Sequence, residues 1–513
     1  MRKGMRVSVR RFSSSTARWN VAIVGSGPAG FYAADFLLKK NEHVHVTMFE
    51  RLPAPYGLVR YGVAPDHPEV KNVTDRFEEI ASHERFSYFG NVSVGAPPPL
   101  APPPPSEGGD GGWAQELRRG ILDFGSSLGG VGAELGPRIE IAALRSAYDA
   151  VLLSYGASAS RSLGVPGEEL RGVHPAREFV AWYNGHPEWE GEGFDLSRVE
   201  TVVVVGNGNV ALDCARVLAK DVDELAPTDI CERAVEALRA SAVRQVAILG
   251  RRGVLQAAFT IKELRELTKL ARVSTSIEAP PDAFSAAVLA AAAEDRPRKR
   301  LVELMKSLVP EGGSGGGGGA ERRSVRLQFQ RSPVEFVEGG SGRLGAVRVA
   351  ATELQGAPGA SQRAAAVAGS EEEVPCELAL TSVGYRSLPI EGVPFDEARG
   401  VVPNEGGRVS GEAGLYVAGW LKRGPSGVIL TNVGDAAESV AALLSDHAGG
   451  LLPESGGGGD DEVRELLAQH GGPVVEYEGV RRLVAEEARR GAADGKVAHK
   501  LVDLEEMIEV ARG

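Results

Sequence analysis

The sequence predicts an α/β protein in which one strand–turn–helix–strand unit occurs twice, and three observations predict it. The run Val21-Ala22-Ile23-Val24 enters Gly25-Ser26-Gly27-Pro28-Ala29-Gly30, and Phe31 to Lys40 then reads as a helix. Far along the chain, Val202-Val203-Val204-Val205 enters Gly206-Asn207-Gly208-Asn209-Val210-Ala211, with helical pattern from Leu212 to Ala219. Each unit is followed by a further apolar strand, 44–49 in the first and 245–250 in the second. Short apolar runs that stop at glycine belong to strands buried on both faces, as in a parallel sheet flanked by helices.

The glycines stand where a dinucleotide needs them. Gly25 permits the tight turn, Gly27 lets the backbone approach a pyrophosphate, and Gly30 lets the helix sit on its strand. Ala29 lies in the same turn, and the helix start offers free N–H groups to the phosphates. The second unit repeats this with Gly206, Asn207, Gly208, Asn209 and Val210, and Ala211 takes the third small position. The two units differ where the next strand ends. The first ends in Glu50, an acceptor for a ribose 2′-hydroxyl that repels a 2′-phosphate, so this site suits the adenosine end of FAD or NAD. The second ends in Arg251-Arg252, and guanidinium groups bind a 2′-phosphate bidentately, so this site should prefer NADPH over NADH.

With 513 residues the chain has room for two or three domains. Lys plus Arg is 57 and Asp plus Glu is 69, a net charge of −12 that argues against general nucleic-acid binding. The three cysteines, Cys214, Cys231 and Cys376, form no C-x-x-C. A redox-active disulfide of that type and a protein-held iron–sulfur cluster, which needs about four ligands, are therefore not expected. No metal site or catalytic triad is expected either. No apolar run approaches the ~18 residues of a membrane span.

Residues 1–19 are basic and serine-containing, with the first acid at Asp35. That composition predicts a mitochondrial transit peptide outside the fold. The segment 51–72 is too rich in Gly and Pro for a helix and too apolar for a solvated loop, which suggests chain lying over a ligand. Residues 96–137 contain Pro and Gly clusters and read as an extended insertion, as do the glycine run 312–319 and roughly 355–372 as loops. Alternating patterns at 325–329 and 344–349 predict strands.

The motif PYGLVRYGVAPDHPEVKN at 55–72 resembles the signature of adrenodoxin-reductase-type NADPH:ferredoxin reductases. Likeness continues at 86–95, 138–157, 163–186, 254–266, 378–385 and 414–431, and spans about residues 20–95 and 138–510. The resemblance implies a glutathione-reductase-like pair of Rossmann-like domains, the FAD domain discontinuous and the NADP domain inserted. The expected boundaries are 20–157 and 383–513 for the FAD domain, the latter with the C-terminal tail, and 158–382 for the NADPH domain. It implies FAD contacts at Leu58, Val94, Trp420, Gly427, Val428 and Ile429. Gly427 would also approach the nicotinamide, and Glu263 would belong to the NADP site. The strand 378–385 would lead back into the FAD domain.

The basic run Arg296-Pro297-Arg298-Lys299-Arg300 reads as a solvated helix start or as a dock for an acidic partner. In the resembling family such a stretch receives a [2Fe-2S] ferredoxin, through Arg296, Arg298, Lys299 and Arg300. The same likeness assigns accessory proton-handling roles to His67 and Asp213, paired across the domains. The whole reading is an FAD- and NADPH-dependent relay to an acidic [2Fe-2S] ferredoxin in the mitochondrial matrix, with any contact to the inner membrane peripheral. The alternatives are the FAD/NADPH module of glutamate-synthase-like enzymes, which usually carries closely spaced cysteines, and a catalytically idle FAD-binding scaffold.

Overall fold

The computed structural model describes residues 18–95, 136–189, 193–310, 322–359 and 361–513. Of the leader expected over 1–19 and the insertion expected over 96–137, residues 1–17 and 96–135 lie outside the described residues, as does the glycine run 312–319. The expectation that all of 1–19 lies outside the fold is corrected at its end: Trp19 opens the first strand and is 4% exposed, because its indole packs into the apolar cluster of that sheet. Two large sheets carry the fold. The first has seven strands, in the order Asn404–Glu405, Arg408–Val409, Leu415–Val417, Ala150–Leu153, Trp19–Val24, Val44–Phe49 and Phe86–Phe89. The central strand Ala150–Leu153 pairs in parallel with Trp19–Val24 on one side and Leu415–Val417 on the other. Residues from both ends of the chain thus meet in one sheet. The second sheet is parallel throughout, in the order Val273–Glu278, Arg323–Phe329, Gln245–Gly250, Thr201–Val205, Leu378–Thr381 and Val173–Pro175.

The period-two geometry of a strand explains the layers. Val21 and Ile23 point into one apolar cluster with Phe31, Phe77 and Val440, while Ala22 and Val24 point into another with Leu144, Val402 and Leu421. In the second sheet, Val202 and Val204 pack on the helices Asn209–Ala219 and Ile261–Thr268. Val203 and Val205 pack on Phe336, Leu344 and Val347 of a separate four-stranded antiparallel sheet. Homopolymeric valine is therefore a strand with no solvated face.

Three further expectations change. The segment 51–72 does hold short helices, Leu58–Tyr61 and Pro68–Lys71, followed by Val73–Ala81. Gly and Pro here punctuate single turns: Gly57 precedes the first and Pro68 opens the second, where its missing N–H costs nothing. The stretch 355–372 is not a plain loop, because Arg363–Ala366 and Glu372–Pro375 both pair with the long strand Arg343–Gln355. Lastly, Leu378–Thr381 lies inside the second sheet, between Thr201–Val205 and Val173–Pro175. The crossing back follows it, where Tyr385–Arg386 pairs antiparallel with Ala159–Ser160.

The C-terminal segment between the helices Tyr477–Asp494 and Leu504–Arg512 straps the two sheets together. Lys496 donates to the Ile230 carbonyl and to Glu232, each at 2.8 Å. Lys500 reaches the carbonyls of Arg60 and Asn184, and lies 3.2 Å from Asp229, which also takes Lys71. Beside it, Arg60 meets Glu487 at 2.5 Å, both nearly out of solvent. Removing one member of a buried pair leaves the other charge uncompensated. Glu487→Gln should therefore cost about 3–5 kcal/mol of stability, read as a lower urea midpoint with an unchanged m-value.

Candidate functional site

Both glycine turns use the same backbone device. Gly25 has φ +101°, and a Cβ there would lie 2.5 Å from the Tyr155 Cα. Gly206 has φ +127°, and its Cβ would lie 2.1 Å from the Ser382 carbonyl oxygen. Tyr155 and Ser382 occupy equivalent places, each just beyond the strand adjacent to its glycine turn. The third small position is equally tight, since a Cβ on Gly30 would meet the Gly25 carbonyl at 2.3 Å. The middle glycines differ. A Cβ on Gly27 or on Gly208 would meet nothing within 4 Å. Each turn therefore packs its first glycine against protein and turns its second toward open space at a helix start, Pro28–Lys40 or Asn209–Ala219. A diphosphate group fits such a cradle.

Other segments gather on the first cradle. Gly57 approaches so closely that its Cβ would lie 3.5 Å from the Gly27 Cα, with Leu58 next in the chain. From the end of Leu415–Val417, Gly419 abuts Ala29, its added Cβ 2.7 Å away. Trp420 follows, half-buried, its ring 5.3 Å from that of Tyr385 on the crossing strand. The segment before helix Thr431–Ala448 is open: Gly427 is exposed, Val428 is 57% exposed and Leu430 73%, with Ile429 partly covered. Val94 lies lower, half-buried against the apolar cluster that includes Tyr155 and Ile390.

Strand-end charges behave as different tools. Glu50 accepts from the Ser26 hydroxyl at 2.6 Å, the Ser26 N–H at 3.1 Å and the Leu52 N–H at 3.1 Å. The acid thus braces the glycine turn. At the second site the backbone is held instead: Thr352 donates to the Arg251 carbonyl at 2.7 Å, and the Gln330 N–H to that of Arg252 at 3.2 Å. Their guanidinium groups are exposed and half-buried, and among the described residues neither enters an ion pair. Asn207 and Asn209 tie the second turn to the next segment, through Ala258 N–H to the Asn207 carbonyl and Thr260 N–H to Asn209 Oδ1.

The expected direct pairing of His67 with Asp213 is corrected. His67 Nε2 lies 3.0 Å from Glu266 and 3.7 Å from Glu263, while Nδ1 is 3.1 Å from Glu69. Asp213 instead pairs with Arg216 at 2.8 Å, one turn along the same helix. Burial raises the Asp213 carboxyl above its ordinary range, with Arg216 pulling the other way. Glu263 is raised too, by burial first and then by Asp213 and Glu266. Its carboxylate therefore belongs to a charge cluster with His67 and Arg216. His67, Glu263 and Glu266 also have the mutual spacing of metal ligands, a convergence the sequence reading did not expect. Arg216, 3.5–3.6 Å from both glutamates, already supplies the positive charge there.

Sequence reasoning missed Asp66, Arg216, Glu266 and Tyr385. The available signals were slight: Asp66 adjoins His67, and Asp213 and Arg216 stand three apart on the helix after the glycine turn. In the basic run, Arg296, Lys299 and Arg300 are exposed at the start of helix Arg296–Ser307, capped by Asp295. Arg298 departs from the expected patch, since it is half-buried and donates to the Ala257 carbonyl at 2.7 Å.

Known proteins agree with this geometry. Residues 19–254 match the family model described as pyridine nucleotide-disulphide oxidoreductase. The mitochondrial NADPH:adrenodoxin oxidoreductase of Salvelinus fontinalis is 42% identical over 96% of this chain and 91% of its own length. Its human counterpart is 41% identical over 97% and 93%. This chain belongs to the NADPH:adrenodoxin oxidoreductase family. A solved structure of Mycobacterium tuberculosis FprA in complex with NADPH superposes with a TM-score of 0.82 at 36% identity, covering 97% of this chain and all of that one. For a member of the NADPH:adrenodoxin oxidoreductase family, the residues of both cradles fit the dinucleotides the family implies.

Proposed function

We propose that the protein is an FAD-containing NADPH:ferredoxin oxidoreductase that passes electrons from NADPH through FAD, one at a time, to a [2Fe-2S] ferredoxin in the mitochondrial matrix. The observation that carries this reading is the opposite charge at two equivalent strand ends, Glu50 in one unit and Arg251-Arg252 in the other. The first cradle holds FAD: Gly25, Gly27, Ala29 and Gly30 receive the diphosphate and Glu50 a ribose, with Leu58, Val94, Trp420, Gly427, Val428 and Ile429 along the remainder. The second holds NADPH: Gly206, Asn207, Gly208, Asn209 and Val210 take the diphosphate and the arginines the 2′-phosphate, with Glu263 and Gly427 nearer the nicotinamide end. FAD, when bound, supplies hydride acceptance from NADPH and single-electron release. The chain's own contribution is to orient two rings, exclude water between the sheets and hold charge and protons at His67, with Asp213 acting through Arg216. FAD thus belongs to residues 20–157 and 383–513, and NADPH to 158–382.

The basic helix start supports an acidic partner. Arg296, Lys299 and Arg300 stand at the positive end of their helix dipole, where cations are disfavoured by a few tenths of a kcal/mol to about 1 kcal/mol each. An acidic ferredoxin face relieves that cost, and in a chain of net charge −12 the patch directs where such a partner lands. Mitochondrial relatives and the basic leader support targeting to the matrix, with any contact to the inner membrane peripheral. No described helix is long and apolar enough to cross a membrane.

Anaerobic stopped-flow absorbance at the flavin band tests the reading, with NADPH and NADH in parallel and a [2Fe-2S] ferredoxin added second. Fast bleaching by NADPH, slow bleaching by NADH and ferredoxin-dependent reoxidation that weakens with salt are expected. Bleaching without reoxidation by ferredoxin would exclude that acceptor. An FAD-loaded protein that neither nucleotide bleaches is an idle scaffold.

A further inference from the structure

We propose that Arg216 is a positioning residue for hydride transfer: its guanidinium fastens the Asp66-His67 segment to the second sheet and sets the charge around the imidazole. The proposal rests on the NADPH-to-flavin reading above and adds a residue to it. Arg216 is buried, its side chain 2% exposed, and it lies at the centre of four carboxylates. Nε and Nη2 donate to the two oxygens of Asp66 at 2.9 and 3.0 Å, a bidentate contact across the interface between the sheets. Nη2 also lies 2.8 Å from Asp213. Nη1 points the opposite way, 3.6 Å from Glu263 and 3.5 Å from Glu266, the residues that face His67. One rigid planar group therefore grips the residue before His67 with one edge and sets its charge beside the imidazole's carboxylate partners with its remaining nitrogen. Lysine has no such two-edged geometry.

The charges close around this group. From the first sheet's segment come Asp66, His67 and Glu69; from helix Asn209–Ala219 come Asp213 and Arg216, with Lys220 at its C-cap; from helix Ile261–Thr268 come Lys262, Glu263 and Glu266. Tyr183 faces Asp213 and Arg216 from helix Ala176–Tyr183, and Glu224 faces Lys220. Burial alone would raise Asp66, yet Arg216 and Lys220 outweigh it and hold that carboxyl well below its usual range. The glutamates are different. His67 Nε2, Arg216 Nη1, and one oxygen each of Glu263 and Glu266 are buried and lack aligned hydrogen bonds. The cluster is loose at the imidazole and tight at Asp66. Such an arrangement fixes where His67 sits through its neighbour Asp66 and not through hydrogen bonds at Nε2.

Arg216→Met keeps the stem and removes the charge, and Arg216→Lys keeps the charge and removes the fork. Both are compared with wild type as FAD-loaded full chains. NADPH bleaching rates are measured against pH, and 15N-histidine spectra of the unreduced protein are recorded, with the His67 ring identified by its disappearance in His67→Gln. For Arg216→Met, bleaching slows by about 10–100-fold. Its pH profile moves upward by about one unit, because carboxylates that lose a cation hold their protons to higher pH. The His67 ring resonances shift with it. For Arg216→Lys, the profile returns to the wild-type position while the rate stays about tenfold low, the lost fork being worth roughly one charge-assisted hydrogen bond. A folded Arg216→Met with wild-type profile and His67 resonances overturns the proposal. Where the Met variant does not fold, Arg216→Lys decides, and a wild-type bleaching rate in it overturns the geometric role. Failure of wild type to bleach at all would instead sink the oxidoreductase reading, while the His67 resonances would still report whether Arg216 orders the ring.

Discussion

Gly27→Ala should fold as stably as the wild-type apoprotein and yet lose FAD affinity by about 100-fold, equivalent to about 2.7 kcal/mol. Nothing in the protein opposes the methyl. Gly27 has φ −75° and ψ −179°, a conformation any residue adopts, and its Cβ would find no atom within 4 Å. The methyl enters only the space into which a diphosphate must come, so the damage is confined to the ligand. Gly25→Ala is the control with the opposite signature. There φ is +101° and the Cβ would lie 2.5 Å from the backbone of Tyr155, so the apoprotein itself is strained and the central strand Ala150–Leu153 is pushed from its neighbour. Thermal unfolding of the two apoproteins, with FAD titrated by fluorescence quenching, separates the cases. Equal destabilisation of both apoproteins would mean that the open space at Gly27 is not a ligand cradle.

The contrast shows what a sequence encodes locally. A glycine turn states its requirements within ten residues: Gly25 and Gly206 need positive φ, Gly30 needs the absence of a Cβ, and the valine runs need burial on two faces. All of these were legible, as was the contrast of Glu50 with Arg251-Arg252. The charge cluster was not. His67, Arg216 and Glu266 are separated by long stretches of chain. Packing of two helices on the second sheet brings Arg216 to 3.5 Å from Glu266, and only the meeting of the two sheets brings His67 to 3.0 Å from it. The sequence reading paired His67 with Asp213, whereas the helix turn hands Asp213 to Arg216 and leaves the imidazole to the neighbouring helix. The strand Arg363–Ala366 escaped for a different reason. Its Arg-Ala-Ala-Ala composition has little strand preference, and pairing with the long strand Arg343–Gln355 overrides that weak local signal.

The second large effect concerns the choice of nicotinamide nucleotide. Arg251→Ala and Arg252→Ala should each lower kcat/KM for NADPH by about 10–100-fold, the worth of a charge-assisted hydrogen bond to phosphate at about 1.5–3 kcal/mol. NADH carries no 2′-phosphate, so its kcat/KM should change little. The double variant should approach equal use of the two nucleotides. The structure makes this a clean test, because the backbone carbonyls of both arginines are anchored by Thr352 and Gln330, independently of their side chains. Truncation therefore leaves the turn in place. Among the described residues neither guanidinium serves an ion pair, so no carboxylate is stranded by its removal. The loss should appear in KM while kcat is retained, since the 2′-phosphate is bound alike before and during hydride transfer. Wild-type preference for NADPH should also shrink as salt rises, whereas the double variant should show little salt dependence. Were the alanine variants to lose activity equally with NADPH and NADH, the arginines would be shaping the turn and the 2′-phosphate would be read elsewhere.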